Sequence, residues 1–228
     1  MAEVKKRSYN PSLNPRITEF HDSLQENPED GWNKCWEKGM TPWDLGRPLP
    51  VILHLLETGT LPKGRALIPG CGSGYDVPAI AAPDRFVVCL DISDHAINRA
   101  KELSSSLPNA NCFTFQQADF FTWTPTEQFD LIFDYTFFAA IDPNIRPAWG
   151  NKVRDFLKPD GELITLISPI SDHVGGPPYG VSVADYEKVL HPLGFESVSI
   201  VDNDYAVESR KGLEKLGRWK KTGESSLP

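Results

Sequence analysis

From about residue 65 onward the chain alternates short apolar runs with amphipathic stretches. The runs at 66–68, 86–90, 112–115, 129–134, 162–167 and 195–201 are dominated by Val, Ile, Leu and Phe. Helical patterning lies between them, from about 77, over 93–104, over 146–157 and from about 183. Near-continuous apolar strands alternating with helices predict parallel strands covered on both faces, a doubly wound, Rossmann-like α/β sheet. Pro159-Asp160-Gly161 predicts a turn before the fifth strand. The first 60 or so residues lack this rhythm and are expected outside the sheet. Residues 1–30 are polar and punctuated by Asn10-Pro11, Asn14-Pro15 and Asn27-Pro28, which predicts a flexible start with at most a short helix over 17–24. Trp32 and Trp36 stand four apart and share a face if 31–39 is helical. Thr41-Pro42-Trp43-Asp44 reads as a turn, and 51–56 as a short helix ended by Gly59. The expected organisation is a flexible 1–30, one domain over 31–221 (a Trp-rich helical lid at 31–62 and a core at 63–221), and a flexible 222–228. The basic stretch from Arg210 to Lys221 is read as a solvated end.

Composition narrows the classes of function. With 228 residues, 40% hydrophobic and 24% charged, the chain has material for one sizeable core. Its 31 acidic against 23 basic residues give a formal charge of -8, which opposes binding to a phosphate backbone, so no nucleic-acid partner is expected. No apolar run approaches the roughly 20 residues of a membrane span. The basic N-terminus is followed by no apolar stretch, so a cytoplasmic location is expected. Cys35, Cys71, Cys89 and Cys112 form no CxxC pair and no zinc-like spacing, which predicts free thiols and no metal.

In a doubly wound sheet, ligands bind at the carboxyl ends of the strands. Four such ends carry informative residues here. Pro69-Gly70-Cys71-Gly72-Ser73-Gly74 follows the first strand; such a loop lets backbone approach a ligand, although a glycine turn also serves as a plain connection. Asp91 closes the second strand about 20 residues on, where a carboxylate can accept two ribose hydroxyls or cap a helix, a task Ser93 can take instead. The dinucleotide pattern GxGxxG would need glycine at 75, where this chain has Tyr75; GxGxG suits S-adenosylmethionine, whose amino-acid part lies against the loop. Asp119-Phe120 can offer a carboxylate and an N–H to an adenine edge, with Phe120 or Phe121 flanking the ring. Asp134-Tyr135 ends the fourth strand, next to the methyl-donor end.

Glycine loop, Asp91, Phe129-Asp-Leu-Ile-Phe-Asp134 and Leu157-Lys-Pro-Asp-Gly161 in this order resemble the class I S-adenosylmethionine-dependent methyltransferases over about residues 63–202. The segment Gly31-Trp32…Trp36…Gly39-Met-Thr-Pro-Trp43-Asp44…Gly46-Arg47 resembles the thiopurine methyltransferase superfamily. Within it, Phe133-Asp-Tyr135, Arg146-Pro-Ala-Trp149, His173-Val-Gly-Gly-Pro-Pro-Tyr179 and Lys215-Leu-Gly-Arg-Trp-Lys220 resemble the plant halide/thiol methyltransferases, from about Gly31 to Lys221. That resemblance implies methyl transfer to iodide, bromide, chloride, thiocyanate, bisulfide or small thiols. It also implies cofactor contacts at Trp32, Trp36, Trp43, Gly70, Asp91, Asp119 and Tyr135.

A soft anion arrives deprotonated and needs no base, so aromatic walls and exclusion of water carry the chemistry. Tyr135 is the first candidate for touching the acceptor, Phe138 an apolar wall, and Ser168 a small hydroxyl where related sequences can carry a bulkier residue. Arg47 is expected to pair with Asp44, Arg146 to make a structural pair, and His173 to be a loop histidine rather than a base. Competing readings are a methyltransferase for larger aromatic thiols or thiopurines, a non-catalytic S-adenosylmethionine-binding module, and an NAD-dependent oxidoreductase on the same fold.

Overall fold

The computed structural model describes residue 11 and residues 14–26 and 30–222. Three helices, α1 (Pro15–Glu26), α2 (Gly31–Glu37) and α3 (Pro50–Glu57), precede the sheet. The core follows as β1 (Gly64–Pro69), α4 (Asp76–Ile80), β2 (Arg85–Asp91), α5 (Asp94–Ser104), β3 (Phe113–Gln117), β4 (Phe129–Tyr135), α6 (Phe137–Ala140), α7 (Arg146–Phe156), β5 (Leu157–Ile167), α8 (Val183–Leu190), β6 (Phe195–Asp202) and β7 (Lys215–Lys221). The predicted short helix at 17–24 lies within α1, whose Phe20 is fully buried. Of the segments expected to be flexible, residues 1–10, 12–13, 27–29 and 223–228 lie outside the described residues.

The seven strands run in the order β3-β2-β1-β4-β5-β7-β6, parallel through β5. Strand order reverses between β1 and β4, which opens the crevice in which such sheets bind ligands. Alternate residues of each central strand enter opposite cores. Ala66, Ile68, Val87, Cys89, Leu131 and Phe133 face α3, α4 and α5. Leu67, Val88, Leu90 and Ile132 face the side covered by α7 and α8, where Trp149 and Tyr186 are fully buried. Burial on both faces is why these runs read as continuously apolar.

Two expectations need correction. The basic end is not a solvated tail: β7 inserts antiparallel between β5 and β6. Its Trp219 is fully buried and donates to Thr165 Oγ1 at 3.0 Å, while Arg218 pairs with Glu162 and Lys215 with Asp202. Neighbouring strands supply the acids that make those cations compatible with a central position. The turn at 159–161 lies inside β5, where Phe129 pairs with Leu157 but Leu131 with Glu162, so the intervening residues bulge out of register. Lys158 grips Asp130 there at 2.8 Å. Among the described residues, no helix is long and apolar enough to cross a membrane.

Candidate active site

The loop leaving β1 holds Gly70 at φ +60° and Gly72 at φ +54°, conformations that side chains with a Cβ rarely adopt. Aromatic rings roof it. A Cβ added at Gly70 would lie 2.6 Å from the Phe137 ring, and one at Gly72 3.0 Å from the Trp36 ring. Thr136, in the left-handed region at φ 63°, turns the chain from β4 into α6. Phe137 thereby meets the loop while Phe138 is fully buried. No local pattern in the sequence marked Phe137 as this roof.

Asp91 organises the loop from β2. Its Oδ2 accepts the Gly72 N–H at 2.9 Å and its Oδ1 the Ser93 N–H at 3.0 Å. Ser93 caps α5, accepting from Ala96 N at 3.2 Å. A carboxylate has about four lone-pair sites, so each Asp91 oxygen retains one for a ligand hydroxyl. Burial pushes the Asp91 carboxyl above its ordinary value, against the backbone donors of Ser93, Gly72 and Ile92 that favour its charge. Asp119 Oδ1 accepts from Phe121 N at 2.9 Å. Phe120 is buried, its ring packed edge-on against Phe121, Phe137 and Phe156. It therefore supports the roof from below, while Phe121 stacks on Phe137. Ile92, half exposed beside Asp91, was not singled out from the sequence; with His21, Trp32, Asn33, Asp142 and Tyr179 it lines a cleft of about 670 Å³.

The N-terminal aromatic segment closes one side. Trp32 and Trp36 both meet Trp43, at ring centroid distances of 5.6 and 6.1 Å, and Phe20 packs against Trp43 at 4.9 Å. Polar ties hold this cluster to the sheet. Ser93 Oγ donates to Asn33 Oδ1, and Ser73 Oγ to Asp44 Oδ2, each at 2.6 Å. Leu49 N donates to Asp76 Oδ1, and Arg210 Nη2 to the Trp43 carbonyl, also at 2.6 Å. Asp44 also accepts from Gly46 N and, among the described residues, forms no ion pair with the exposed Arg47, contrary to expectation. A backbone turn and a serine have taken its oxygens.

Across the crevice the polar groups change character. The Tyr135 hydroxyl at the end of β4 is buried with no hydrogen-bond partner among the described residues, and the Arg210 guanidinium lies 5.6 Å from its ring. The Arg146 guanidinium sits 4.5 Å over the Phe138 ring. Its Nε and Nη2 are buried and, among the described residues, make no hydrogen bond, so the expected structural pair is absent. Ser168 is buried and donates to Glu214 Oε1 at 3.4 Å, while Asn203 Nδ2 donates to Oε2 at 2.8 Å. Burial raises the Glu214 carboxyl above its ordinary value. The His173 ring nitrogens meet Ser171 Oγ at 2.6 Å and the Pro178 carbonyl at 2.8 Å, which ties this histidine into its own loop.

The sequence profile of the thiopurine S-methyltransferase family matches residues 27–222. The chain belongs to that family. It is 63% identical over 203 residues to the probable thiol methyltransferase 2 of Arabidopsis thaliana, covering 89% of this chain and 90% of that one. It is 58% identical over 211 residues to thiocyanate methyltransferase 1 of the same organism, covering 92% of each. Among solved structures, the glycopeptide N-methyltransferase MtfA in complex with S-adenosyl-L-methionine superposes with a TM-score of 0.62 at 14% identity, covering 80% of this chain and 99% of that one. A thiopurine S-methyltransferase family member is an S-adenosylmethionine-dependent methyltransferase, and the residues present fit that molecule. The left-handed glycines bring backbone to the crevice under aromatic rings, and Asp91 keeps acceptor capacity.

Proposed function

We propose that this methyltransferase methylates small soft nucleophiles, namely iodide, bromide, chloride, thiocyanate, bisulfide and small thiols, giving methyl halides, methyl thiocyanate or methanethiol. The names of the 63% and 58% identical relatives support thiol and thiocyanate as acceptors. The observation that carries the reading is the set of orphaned donors, Tyr135 O–H with Arg146 Nε and Nη2, buried without acceptors of their own among the described residues. Each unsatisfied buried donor costs about 1–3 kcal/mol, and an anion is a ligand that accepts from donors of this kind.

Bound in the crevice, S-adenosylmethionine supplies a methyl carbon activated by a sulfonium. Gly70 admits its amino-acid part, Asp91 holds the ribose hydroxyls, and Asp119 meets the adenine edge, with Phe120 supporting the roof. Trp32, Trp36 and Trp43 wall the site, where ring faces attract a sulfonium by about 0.5–2 kcal/mol. Tyr135 would position the acceptor in line, with Phe138 packed in the core behind it and Ser168 held by Glu214. No base is required for an anion, which agrees with a His173 whose nitrogens serve its own loop. Alignment and exclusion of water then supply the rate. The four cysteines are free thiols, which fits the cytosol.

A larger aromatic thiol is the second reading, favoured by the open cleft. Headspace gas chromatography separates the two. Purified protein with S-adenosylmethionine is expected to release methyl iodide and methyl thiocyanate above an enzyme-free control. Product from an aromatic thiol alone moves the assignment to the second reading.

A further inference from the structure

Tyr186, on α8, is fully buried, yet its hydroxyl has no hydrogen-bond partner among the described residues. Its ring stacks on Phe138 at 4.0 Å, the same ring that carries the Arg146 guanidinium at 4.5 Å. One aromatic ring therefore joins a buried phenol and a buried guanidinium, both with orphaned donors. The acids around them are already engaged. Asp134 accepts from Trp149 Nε1 at 2.8 Å and from Phe138 N at 3.2 Å. Asp185 accepts from the Ser182 N–H and hydroxyl at 2.7 Å, and Asp142 from Asn144 N at 2.8 Å. Burial holds the phenol well above its ordinary value, with Asp134 and Asp185 adding to that and Arg146 opposing it, so the hydroxyl stays a donor at neutral pH. Asp142 and Tyr179 line the cleft, and both act electrostatically on the Arg146 guanidinium.

We propose that Tyr186 is a further acceptor-positioning residue, its hydroxyl donating, together with the Arg146 guanidinium, to the anion that receives the methyl group. This rests on the anion reading above and names a residue of that site. The physics sets two effects against each other. An idle buried hydroxyl destabilises the fold, so its removal is neutral or stabilising. A hydroxyl that holds an anion is worth about tenfold in acceptor affinity.

The test is Tyr186→Phe. KM for iodide and for thiocyanate is expected to rise about tenfold, with KM for S-adenosylmethionine within about twofold and Tm not lowered. Chloride, the hardest of these anions, should suffer most. A direct readout accompanies the kinetics: the iodide concentration that half-stabilises the protein against heat, without cofactor, should rise by the same factor in the variant. Acceptor KM and iodide midpoint both unchanged would overturn the proposal, as would a fall in Tm with both substrates' KM rising together. If the wild-type protein methylates no anion but its iodide midpoint still depends on Tyr186, the function proposed above fails while the anion site stands.

Discussion

The two sides of the crevice solve opposite electrostatic problems. On the β1–β2 side, carboxylates are met by the protein's own donors: Asp91 by Gly72 and Ser93, Asp44 by Gly46 and Ser73, Asp76 by Leu49. Beyond the end of β4, donors lie buried without acceptors among the described residues: the Tyr135 hydroxyl against the α3–α4–α5 core, and the Tyr186 hydroxyl with two nitrogens of Arg146 on the α7–α8 side. On the function proposed above, the first side would take a ligand that carries hydroxyls and positive charge. The second retains the cost of unsatisfied donors, and an anionic ligand removes it. The difference teaches that the polar groups a fold has satisfied and those it has left over set different ligand preferences on the two sides of a crevice.

Substitutions on one side should spare the other, and the largest effect is expected at the glycine loop. Gly70→Val places a branched side chain at φ +60° and against the Phe137 ring. The strain and clash, about 3 kcal/mol or more, should weaken S-adenosylhomocysteine binding over 100-fold by calorimetric titration. Retained affinity would show that the loop does not hold the cofactor. Asp91→Asn turns an amide N–H toward one of the two backbone donors, at a cost of about 2–3 kcal/mol. Affinity for S-adenosylhomocysteine should fall roughly 30- to 100-fold, while the iodide midpoint of thermal stabilisation without cofactor stays put. A shift in both would break the division between the sides.

Arg146→Met tests the opposite wall. It should raise acceptor KM about tenfold and leave calorimetric affinity for S-adenosylhomocysteine unchanged, without lowering Tm, since two buried nitrogens that make no hydrogen bond among the described residues have been replaced by an apolar chain. Loss of cofactor affinity in this variant would erase the contrast.

The smallest effect concerns pH. Burial raises the Asp76 carboxyl from 3.8 to about 6, against the Leu49 N–H bond and with the Asp44 charge adding to the rise. A folded-state value above the unfolded one means that folding takes up a proton. The stabilisation is complete below about 3.8 and is lost as pH rises through about 6. Asp76→Asn retains an acceptor for Leu49 N and has nothing to titrate. Urea unfolding of wild type and variant at pH 4 and pH 7 should therefore show the variant relatively more stable at the higher pH. A pH-independent difference would mean that Asp76 ionises freely.

The doubly wound core was legible because its signals are local. Ala66 to Ile68, 86–90 and 129–134 are apolar on both faces, and only a strand between two helical layers buries both. Gly70 and Gly72 announced backbone that other residues rarely adopt, and Asp91 stood at a strand end whose position that pattern had set. The basic stretch ending at Lys221 was misread because its local charge outweighs Leu216 and Trp219, and the acids that neutralise it come from Glu162 and Asp202 on other strands.

Beyond Tyr135, the orphaned donors escaped for a related reason. Arg146 looks like half of an ion pair in any linear reading, and Tyr186 like one more core aromatic. Whether a buried donor finds an acceptor depends on side chains brought in from elsewhere in the chain, as Arg210 reaches the carbonyl of Trp43 and Ser168 reaches Glu214. Periodicity and glycine placement are written residue by residue and dictate strands, layers and the loop. Hydrogen-bond satisfaction is a property of packed neighbours, so the orphaned hydroxyls and guanidinium emerge only once the helices are folded against the sheet.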